Sequence, residues 1–552
     1  MVTTIYATLG QEGVKHGVNQ THAGVVITDA KLLPCILQIA TACPDVKHMV
    51  TLGEADAKHL AALAALRPDV KVYSMDALVA AGAAQSTKVQ PVPPSPSDVA
   101  VIMYTSGTTG APKGVVIPHS AICASMAGLK AAGRFTPEDV YLAYLPLAHI
   151  MEMAAETVMF ALGCCVGYGS PQTLTDSGLK LAPGTKGDAP TLRPTFMVFA
   201  PTVLDRVRQA VQAKFAAASP LLQSVVAAAI KAGYAEFDAG RIGAPPLYNA
   251  LIFKKVQALI GGRVKVMISG SAPLSADTQK FVQTCFNCPL RQGYGLTETC
   301  SAGTVGAFDD NAWSAGRVLA CCKIKLVDWE EGSYRVSDEQ NPEIGCPRGE
   351  ILVGGPIVAL GYYQDASNPD AELTAKNASD FSTDSDGTRY FHTGDIGEMT
   401  PNGLLRIIDR KKDLVKLQMG EYVALSKVEN AMKQSTYVEQ ALCYALSSKS
   451  TIVALIVPAI KPLRAWAEAN GLPESSTSWA ALCANEAAVA EVKASVQKAC
   501  KACKLSGFET PVAFALVNDP WTPENDCLTA AMKMKRQDIT KRHKKELDAI
   551  YK

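Results

Sequence analysis

The spacing of hydrophobic and polar positions predicts an alternation of strands and helices through the first 310 residues. "VAVIMY" (99–104) is a short continuous apolar run, which is typical of a buried strand. "LYNALIFKKVQAL" (247–259) has helical spacing and stops at two glycines, and "RVKVMI" (263–268) then indicates another strand. This succession favours α/β layers around a largely parallel sheet.

The pattern changes twice further along the chain. From about 314 to 409, short runs such as "IKLVDW" and "GEILVGG" are separated by turns, which predicts a small β-rich unit. Helical and strand patterns mix after residue 409. We therefore predict an α/β fold whose N-terminal domain (1–409) has layered α/β subdomains and the β-rich unit, followed by a smaller, mobile α+β C-terminal lid domain (410–552).

Composition narrows the class of protein. The chain has 552 residues, too many for one ordinary core, and a net charge of +1, which gives no overall field to attract nucleic acid. No apolar run reaches the ~18 residues that a membrane helix needs, and the chain does not begin like a signal peptide. We expect a non-secreted protein, cytoplasmic or peripherally associated with the cytosolic side of a membrane such as the endoplasmic reticulum.

Sixteen scattered cysteines suit reduced thiols better than a disulfide framework. Cys285/Cys288 and Cys500/Cys503 are Cys-x-x-Cys pairs, but they lie far apart and have no histidine at ligand spacing. We interpret them as coincidental rather than as a zinc site.

The stretch "MYTSGTTGAPKGVV" (103–116) follows the first predicted strand and has the parts of a phosphate cradle. Small residues leave its backbone N–H groups unshielded, and four hydroxyls and a lysine accompany them. The residues are Thr105, Ser106, Gly107, Thr108, Thr109, Gly110 and Lys113. The spacing is not that of the Walker P-loop. Composition alone equally allows a flexible surface loop.

The same string resembles the Tyr-Thr-Ser-Gly-Thr-Thr-Gly-x-Pro-Lys-Gly signature of the adenylate-forming enzymes, which include acyl-CoA synthetases, firefly luciferase and peptide-synthetase adenylation domains. Other family motifs follow in the family's order: "LPLAHIMEM" (145–153), "ISGSAPLS" (268–275), "QGYGLTET" (292–299), "FHTGDIG" (391–397), "IIDRKKDLVKLQMGEYV" (407–423) and "WTPENDCLTAAMKMKR" (521–536). Finer details, such as "GGPIVALGYY" (354–363), resemble the eukaryotic long-chain fatty-acyl-CoA synthetases. The family's N-terminal domain starts further upstream, so we expect this chain to lack that portion.

The resemblance implies an ATP-dependent long-chain fatty acid:CoA ligase. A fatty carboxylate would attack the α-phosphorus of ATP, releasing pyrophosphate, and the CoA thiol would attack the acyl-adenylate, releasing AMP. The implied substrates are fatty acid, ATP and CoA, with Mg²⁺ as cofactor. Two alternatives stay open: a ligase for another carboxylic acid, and a truncated nucleotide- or lipid-binding protein without turnover. A serine hydrolase is disfavoured because Gly-x-Ser-x-Gly does not occur.

Family resemblance also implies a nucleotide site. Residues 105–110 and Lys113 would hold the departing phosphates, and Thr297 would donate to the α-phosphate. Adenine would lie between Tyr294 and Ser271, Ala272, with Gly295 in the same motif. Asp395 and Arg410 would bind the ribose. Taken singly, a turn Asp is usually a local cap and a surface Arg is usually solvated.

Glu298 would hold Mg²⁺, although a Glu after Thr is also typical of a solvated helix start. Lys533 is our candidate for the cation that bridges the attacking carboxylate and the α-phosphate. The family form Leu-Thr-Pro-Thr-x-Lys is altered here, because Ala530 and Ala531 replace Pro and Thr, and Lys535 becomes a rival.

The remaining expectations concern the acyl group, CoA and domain movement. His149 would lie near the carboxylate, or would simply pack in an apolar core. "IMEMAAETVMFALG" (150–163) has helical spacing that could line an acyl tunnel, or form plain core. Gly420 would let pantetheine approach the backbone, and Lys412 matches the family's hinge between domains, although it could equally be a surface charge.

Overall fold

Residues 9–85 form a small parallel sheet with helices around it. The computed structural model describes residues 1–6, 9–85, 89–105, 112–176, 178, 180–307, 313–473, 477–529 and 533–551. The sheet has the order β2 (Val25–Asp29), β3 (His48–Leu52), β4 (Lys71–Ser74). Its helices are α1 (Gly10–Gln20), α2 (Leu33–Ile39), α3 (Ala57–Leu66) and α4 (Met75–Ala83).

A second, four-stranded sheet contains the predicted buried strand. Its order is β1 (Val2–Thr4), β5 (Val99–Thr105), β6 (Lys113–Pro118), β16 (Gly361–Tyr362), and α5 (His119–Ala132) follows β6. The strand prediction for 99–104 is confirmed, since Ile102 is fully buried. β5 and β6 are antiparallel, and their register pairs Thr105 with Lys113.

The largest sheet has seven strands and a parallel centre. Its order is β13 (Arg317–Val318), β12 (Thr304–Val305), β11 (Leu290–Tyr294), β10 (Val266–Ser269), β9 (Phe196–Phe199), β7 (Val140–Ala143), β8 (Cys165–Tyr168). β11, β10, β9, β7 and β8 pair in parallel, which confirms the predicted sheet type, whereas β12 and β13 are short antiparallel additions.

Helices pack against this sheet. They are α6 (Ile150–Ala161), α7 (Asp188–Leu192), α8 (Pro201–Ala216), α9 (Pro220–Asp238), α10 (Pro246–Tyr248), α11 (Lys254–Gln257) and α12 (Ala276–Phe286). A π-turn, Asn249–Phe253, joins α10 to α11, so the predicted helix 247–259 is nearly continuous and ends at Gly261 in the left-handed conformation. The strand predicted over 263–268 was placed too early: it begins at Val266, because the chain must cross back to the sheet after the two glycines.

The predicted β-rich unit is an antiparallel sheet of five strands. Its order is β14 (Lys323–Val327), β15 (Arg348–Gly354), β18 (Arg389–Met399), β17 (Phe381–Thr383), with β19 (Leu405–Arg410) also pairing with β18; α13 (Ala371–Asp380) precedes β17.

The C-terminal part mixes strands and helices around its own core. The strands are β20 (Leu414–Lys416), β21 (Tyr422–Ala424), β22 (Val438–Tyr444), β23 (Val453–Pro458) and β24 (Ala513–Leu516). The helices are α14 (Leu425–Met432), α15 (Ile460–Ala469), α16 (Trp479–Cys483), α17 (Glu486–Ala502), α18 (Arg536–Arg542) and α19 (Lys544–Ile550). Val428, Ile456 and Val492 are fully buried together. Within the described ranges, no helix combines the length and apolar character required to cross a membrane.

Candidate active site

A mainly apolar cavity lies between α5, α6 and the seven-stranded sheet. α6 contributes Ile150, Met151, Ala154, Ala155, Val158 and Met159, a spacing that puts one face of the helix on the cavity. Leu129 of α5 and Phe196 of β9 add further apolar wall. Segment 150–163, for which the sequence allowed either a tunnel wall or plain core, therefore borders an open space.

His149, Ser271, Thr297 and Lys533 form the polar end of this cavity. His149 is the N-cap of α6: its Nδ1 accepts the N–H of Met151 at 3.2 Å, and its Nε2 lies 3.3 Å from Oγ of Ser271. Burial, assisted by the charge of Lys533, lowers the pKa of His149 to about 3. The imidazole is thus neutral near pH 7, and because Nδ1 accepts, the proton resides on Nε2 and is available for donation.

Lys533 reaches this cavity from the C-terminal part of the chain. Its loop is closed by two hydrogen bonds with Thr529: the N–H of Thr529 donates to the carbonyl of Lys533 at 2.7 Å, and the N–H of Lys533 donates to Oγ1 of Thr529 at 3.1 Å. Burial and the positive charge of Arg410 lower the pKa of Lys533 to about 8, against the opposing charges of Asp395 and Glu298. The side chain is therefore largely an ammonium at pH 7. Lys535 instead pairs with Asp526 at 3.4 Å and Asp538 at 3.6 Å.

Tyr294, Asp395 and Arg410 come together at the end of β11 and on the β18–β19 hairpin. The hydroxyl of Tyr294 donates to Oδ2 of Asp395 at 2.8 Å, and Nε of Arg410 lies 3.3 Å from Oδ1 of the same carboxylate. The β18–β19 register places Asp395 opposite Arg410. Gly394 has a φ of +69°, a turn conformation that favours glycine. The structure thus joins three residues that the sequence placed in one nucleotide site.

Glu298 is buried beside two residues that the sequence analysis did not assign. Tyr362 donates its hydroxyl to Oε1 of Glu298 at 2.9 Å, and the same hydroxyl lies 3.3 Å from Oδ2 of Asp380. Burial raises the pKa of Glu298. Nζ of Lys113 lies 5.5 Å from the centroid of the Tyr362 ring. Nζ of Lys376 lies 6.0 Å from the same centroid and 2.6 Å from Oδ2 of Asp380, so two carboxylates and two lysines surround one phenol.

The other predicted residues have these positions. Thr105 ends β5 opposite Lys113, and Gly295 and Thr297 line the cavity. Ser271 borders the cavity with a φ of +73°, which is strained for a residue other than glycine, and its neighbour Ala272 is exposed. Ser106, Gly107, Thr108, Thr109 and Gly110 lie outside the described residues, as do Ala530 and Ala531.

Lys412 and Gly420 lie where the β-rich unit meets the C-terminal part. Lys412 belongs to a 3₁₀ turn between β19 and β20, and burial lowers its pKa. Just before it, Asp409 accepts the N–H of Ser426, in the first turn of α14, at 3.1 Å, and burial beside Asp413 raises the pKa of Asp409 to about 7. Gly420, with a φ of +99°, has open space around its Cα.

A polar clasp, which we define as Arg208, Ser275, Thr278 and Gln434, connects the C-terminal part to the rest of the site. Arg208 on α8 donates to Oε1 of Gln434 at 2.8 Å, and Nε2 of Gln434 donates to Oγ of Ser275 at 3.1 Å. Arg208 also donates to Thr278 at 3.0 Å. Gln434 follows α14, so these contacts fix that helix against α8 and α12.

Sequence reasoning missed Tyr362 and the clasp for different reasons. Tyr362 lies within "GGPIVALGYY", which served only as a marker of one family branch. Arg208 and Gln434 are separated by more than two hundred residues, and no local pattern connects them.

Comparison with known proteins gives a consistent family. Residues 1–363 match the family described as AMP-binding enzyme. Long chain acyl-CoA synthetase 8 of Arabidopsis thaliana is 43% identical over 558 residues, which cover 100% of this chain and 75% of that protein. Long-chain-fatty-acid--CoA ligase 1 of Schizosaccharomyces pombe is 36% identical, over 100% of this chain and 78% of that protein.

Solved structures agree at the level of the fold. The adenylation domain of a carboxylate reductase from Mycobacterium chelonae has a TM-score of 0.78 and 24% identity, over 100% of this chain and 76% of that one. The corresponding domain from Segniliparus rugosus, solved with AMP and a co-purified carboxylic acid, has a TM-score of 0.76 and 23% identity, over 100% and 78%.

Proposed function

Because the chain belongs to the AMP-binding enzyme family, and within it to the branch of the long-chain acyl-CoA synthetases, we propose that it is an ATP-dependent ligase of long-chain fatty acids and CoA. The observation that carries the proposal is the composition of one cavity. Its walls are apolar, and its polar end combines His149 and Thr297 with an ammonium from the far C-terminal part, Lys533.

The cavity suits a fatty acyl chain. Each CH₂ group removed from water contributes about 0.8 kcal/mol, so the apolar face of α6 favours long chains over short ones. The carboxylate is the one group of the substrate that needs polar partners, so it would lie at the end occupied by His149 and Lys533. The neutral imidazole donates from Nε2 without adding a charge.

The first step brings two anions together, the carboxylate and the α-phosphate of ATP. The ammonium of Lys533 has three donors and lies where these groups would converge, with the hydroxyl of Thr297 beside it. Positive charge and donors fixed in advance stabilise the charge that builds up as the carboxylate oxygen attacks phosphorus and pyrophosphate departs. The products of this step are the acyl-adenylate and pyrophosphate.

The nucleoside would lie along the Tyr294–Asp395–Arg410 group. Asp395 would accept the ribose hydroxyls and Arg410 would donate to them, while adenine would stack between Tyr294 and Ser271, Ala272, next to Gly295. The phosphates would meet Thr105 and Lys113 at the mouth of the β5–β6 hairpin, with the backbone of residues 106–110 between them in sequence.

Mg²⁺ fits the donor set around Glu298. Magnesium commonly uses one or two protein carboxylates together with phosphate oxygens and water. Glu298 and Asp380 share the Tyr362 hydroxyl, and Asp380 also pairs with Lys376, so Glu298 would be the main protein ligand. When bound there, the ion would neutralise phosphate charge. Burial raises the pKa of Glu298, which agrees with a carboxylate that would gain a cation together with ATP.

The second step requires CoA, whose thiol attacks the carbonyl carbon of the acyl-adenylate and releases AMP. Gly420 would allow pantetheine close to the backbone, and Lys412 would be the hinge at which a C-terminal lid (410–552) turns against an N-terminal domain (1–409). The separate core of the C-terminal part supports this division.

The proposal is tested by incubating the protein with palmitate, ATP, Mg²⁺ and CoA. Palmitoyl-CoA, AMP and pyrophosphate should form in equal amounts, and Lys533→Ala should lose most of this turnover while Lys535→Ala keeps it. A panel of aryl, medium-chain and long-chain acids distinguishes the proposed substrate from other carboxylic acids. ATP binding without any product from any acid would refute the proposed activity.

A further inference from the structure

Two adjacent cysteines outside the cavity have their sulfur atoms close together. Cys321 and Cys322 lie in the turn between β13 and β14, where the N–H of Cys322 donates to the carbonyl of Leu319 at 2.9 Å. Both side chains are partly exposed, and their Sγ atoms are 3.5 Å apart. The turn therefore holds the two sulfur atoms side by side, in two residues that are each partly exposed.

Adjacent cysteines do not always have their sulfur atoms close together, as the pair Cys164 and Cys165 shows. Cys165 is the first residue of β8 and Cys164 directly precedes it, and their side chains have different surroundings. The thiol of Cys164 is buried and donates to the carbonyl of Thr136 at 3.1 Å, whereas Cys165 is exposed. Of these two pairs, the one in the turn has its thiols together and the one at β8 does not.

The thiols also differ in acidity. The hydrogen bond between the two thiols lowers the pKa of Cys321, whereas the same hydrogen bond together with burial raises the pKa of Cys322. The thiolate is the nucleophile and the ligand in cysteine chemistry. Cys321 is therefore the sulfur that attacks first, and Cys322 the one that follows.

The distance between the sulfurs suits a bridging atom better than a disulfide. One soft atom bonded to both sulfurs at about 2.3 Å, with an angle of about 100° between the bonds, spans about 3.5 Å. A disulfide needs about 2.05 Å between sulfurs and Cα atoms more than about 4.4 Å apart, whereas adjacent residues are about 3.8 Å apart. A chelate forms here with little movement, while a disulfide would be strained.

We propose that Cys321 and Cys322 form a chelating dithiol site for a thiophilic trivalent centre, of the class represented by an organic arsenoxide. Each sulfur forms one bond to arsenic, the two bonds between arsenic and oxygen are lost, and the oxygen leaves with both thiol protons as one water molecule. No electron is transferred, so no oxidant is needed.

A ligand bound to the two cysteines would alter the wall of the cavity described above. A Cβ atom at Gly128 would lie 2.2 Å from Sγ of Cys321, so this sulfur packs directly on the backbone of α5. On the same helix, Leu129 directly follows Gly128 and Ala132 lies one turn further on, and both line the cavity. Bridging the sulfurs moves that of Cys321 relative to α5, and we expect acyl-CoA formation to fall at least fivefold at full occupancy. This effect, unlike binding itself, rests on the proposed function.

The test uses phenylarsine oxide on the full chain. The intact mass should increase by one phenylarsenic group per chain, two titratable thiols should be lost, and a dithiol but not a monothiol should reverse both changes. Cys321→Ser and Cys322→Ser should each abolish the tight adduct, whereas Cys123→Ser, an exposed cysteine on α5, should keep it. Peptide mapping of the unsubstituted protein gives the same answer without any variant.

Binding that survives either Cys321→Ser or Cys322→Ser, or an arsenic mapped to other cysteines, would overturn the site. Full occupancy with unchanged turnover would overturn the connection to α5. If no acyl-CoA forms even before treatment, the proposed function fails while the binding result still decides the site.

Discussion

Lys533 supplies the most informative prediction, because both the position of its ammonium in the cavity and its lowered pKa have measurable consequences. An ammonium about 4 Å from a developing negative charge, at an effective dielectric constant of about 20, contributes about 4 kcal/mol. That is about a thousandfold in rate, which agrees with the ~10²–10³-fold loss seen when one preorganised donor is removed from an active site. We therefore expect Lys533→Ala to lower pyrophosphate release about 10²- to 10³-fold.

The lowered pKa of Lys533 also predicts the direction in which adenylation changes with pH. The pKa of Lys533 is lowered to about 8, so the ammonium is complete well below pH 8 and is lost above it. The kcat/KM for ATP in adenylation should be level between pH 6 and 7 and fall tenfold per pH unit above about pH 8, since this parameter reports ionisation in the free enzyme. His149, with a pKa of about 3, should add no limb near neutrality.

The assay is pyrophosphate release with palmitate and ATP, measured from pH 6 to 10 on three proteins. Lys533→Arg should be slow but lack the alkaline limb, because a guanidinium does not deprotonate in this range. Lys535→Ala should behave like the unsubstituted protein. The reasoning is refuted if Lys533→Arg retains the same alkaline limb, or if Lys533→Ala loses no more activity than Lys535→Ala.

Three further changes test other parts of the site. Asp395→Asn removes the carboxylate that faces Tyr294 and Arg410. Because a hydrogen bond to a charged group contributes about 1.5–3 kcal/mol, the KM for ATP should rise about 10- to 100-fold. An unchanged KM in steady-state kinetics would contradict the assignment. Ala155→Leu fills part of the cavity and should lower the ratio of palmitate to octanoate turnover, so an unaltered ratio in a chain-length panel would exclude this wall from the acyl site. Gln434→Ala removes two hydrogen bonds of the clasp, each of which contributes about 0.5–1.5 kcal/mol. Pyrophosphate release should therefore slow about 5- to 100-fold. Thioester formation from added palmitoyl-adenylate should be unchanged. Equal effects on both steps would argue against the expectation that holding α14 against α8 and α12 serves adenylation alone.

The sequence was sufficient to predict several strands and helices, and to identify candidate site residues that lie inside family motifs. Continuous apolar runs and helical spacing predicted β5 and α6, and glycine pairs marked the end of the helix before β10. Tyr294, Asp395 and Arg410 were grouped because each lies in a family motif, and the structure joins them through direct contacts. Their roles in binding nucleotide stay predictions.

Other features depend on contacts between distant segments and leave no local pattern. The bridging position of Tyr362 arises from the pairing of β16 with β6, and the clasp arises from the docking of α14 on α8 and α12. The start of β10 was missed by three residues because the length of chain needed after Gly261 and Gly262 is a tertiary requirement. The shared direction of the Cys321 and Cys322 thiols depends on a turn that adjacency alone does not specify.

The cavity that receives Lys533 is completed by a segment from the opposite end of the chain. An acyl-adenylate formed there would be prone to hydrolysis, and Lys533 lies at the polar end of the cavity, where that bond would form. Any movement of the C-terminal part would withdraw Lys533 from the cavity and change the access of a thiol or of water to this intermediate.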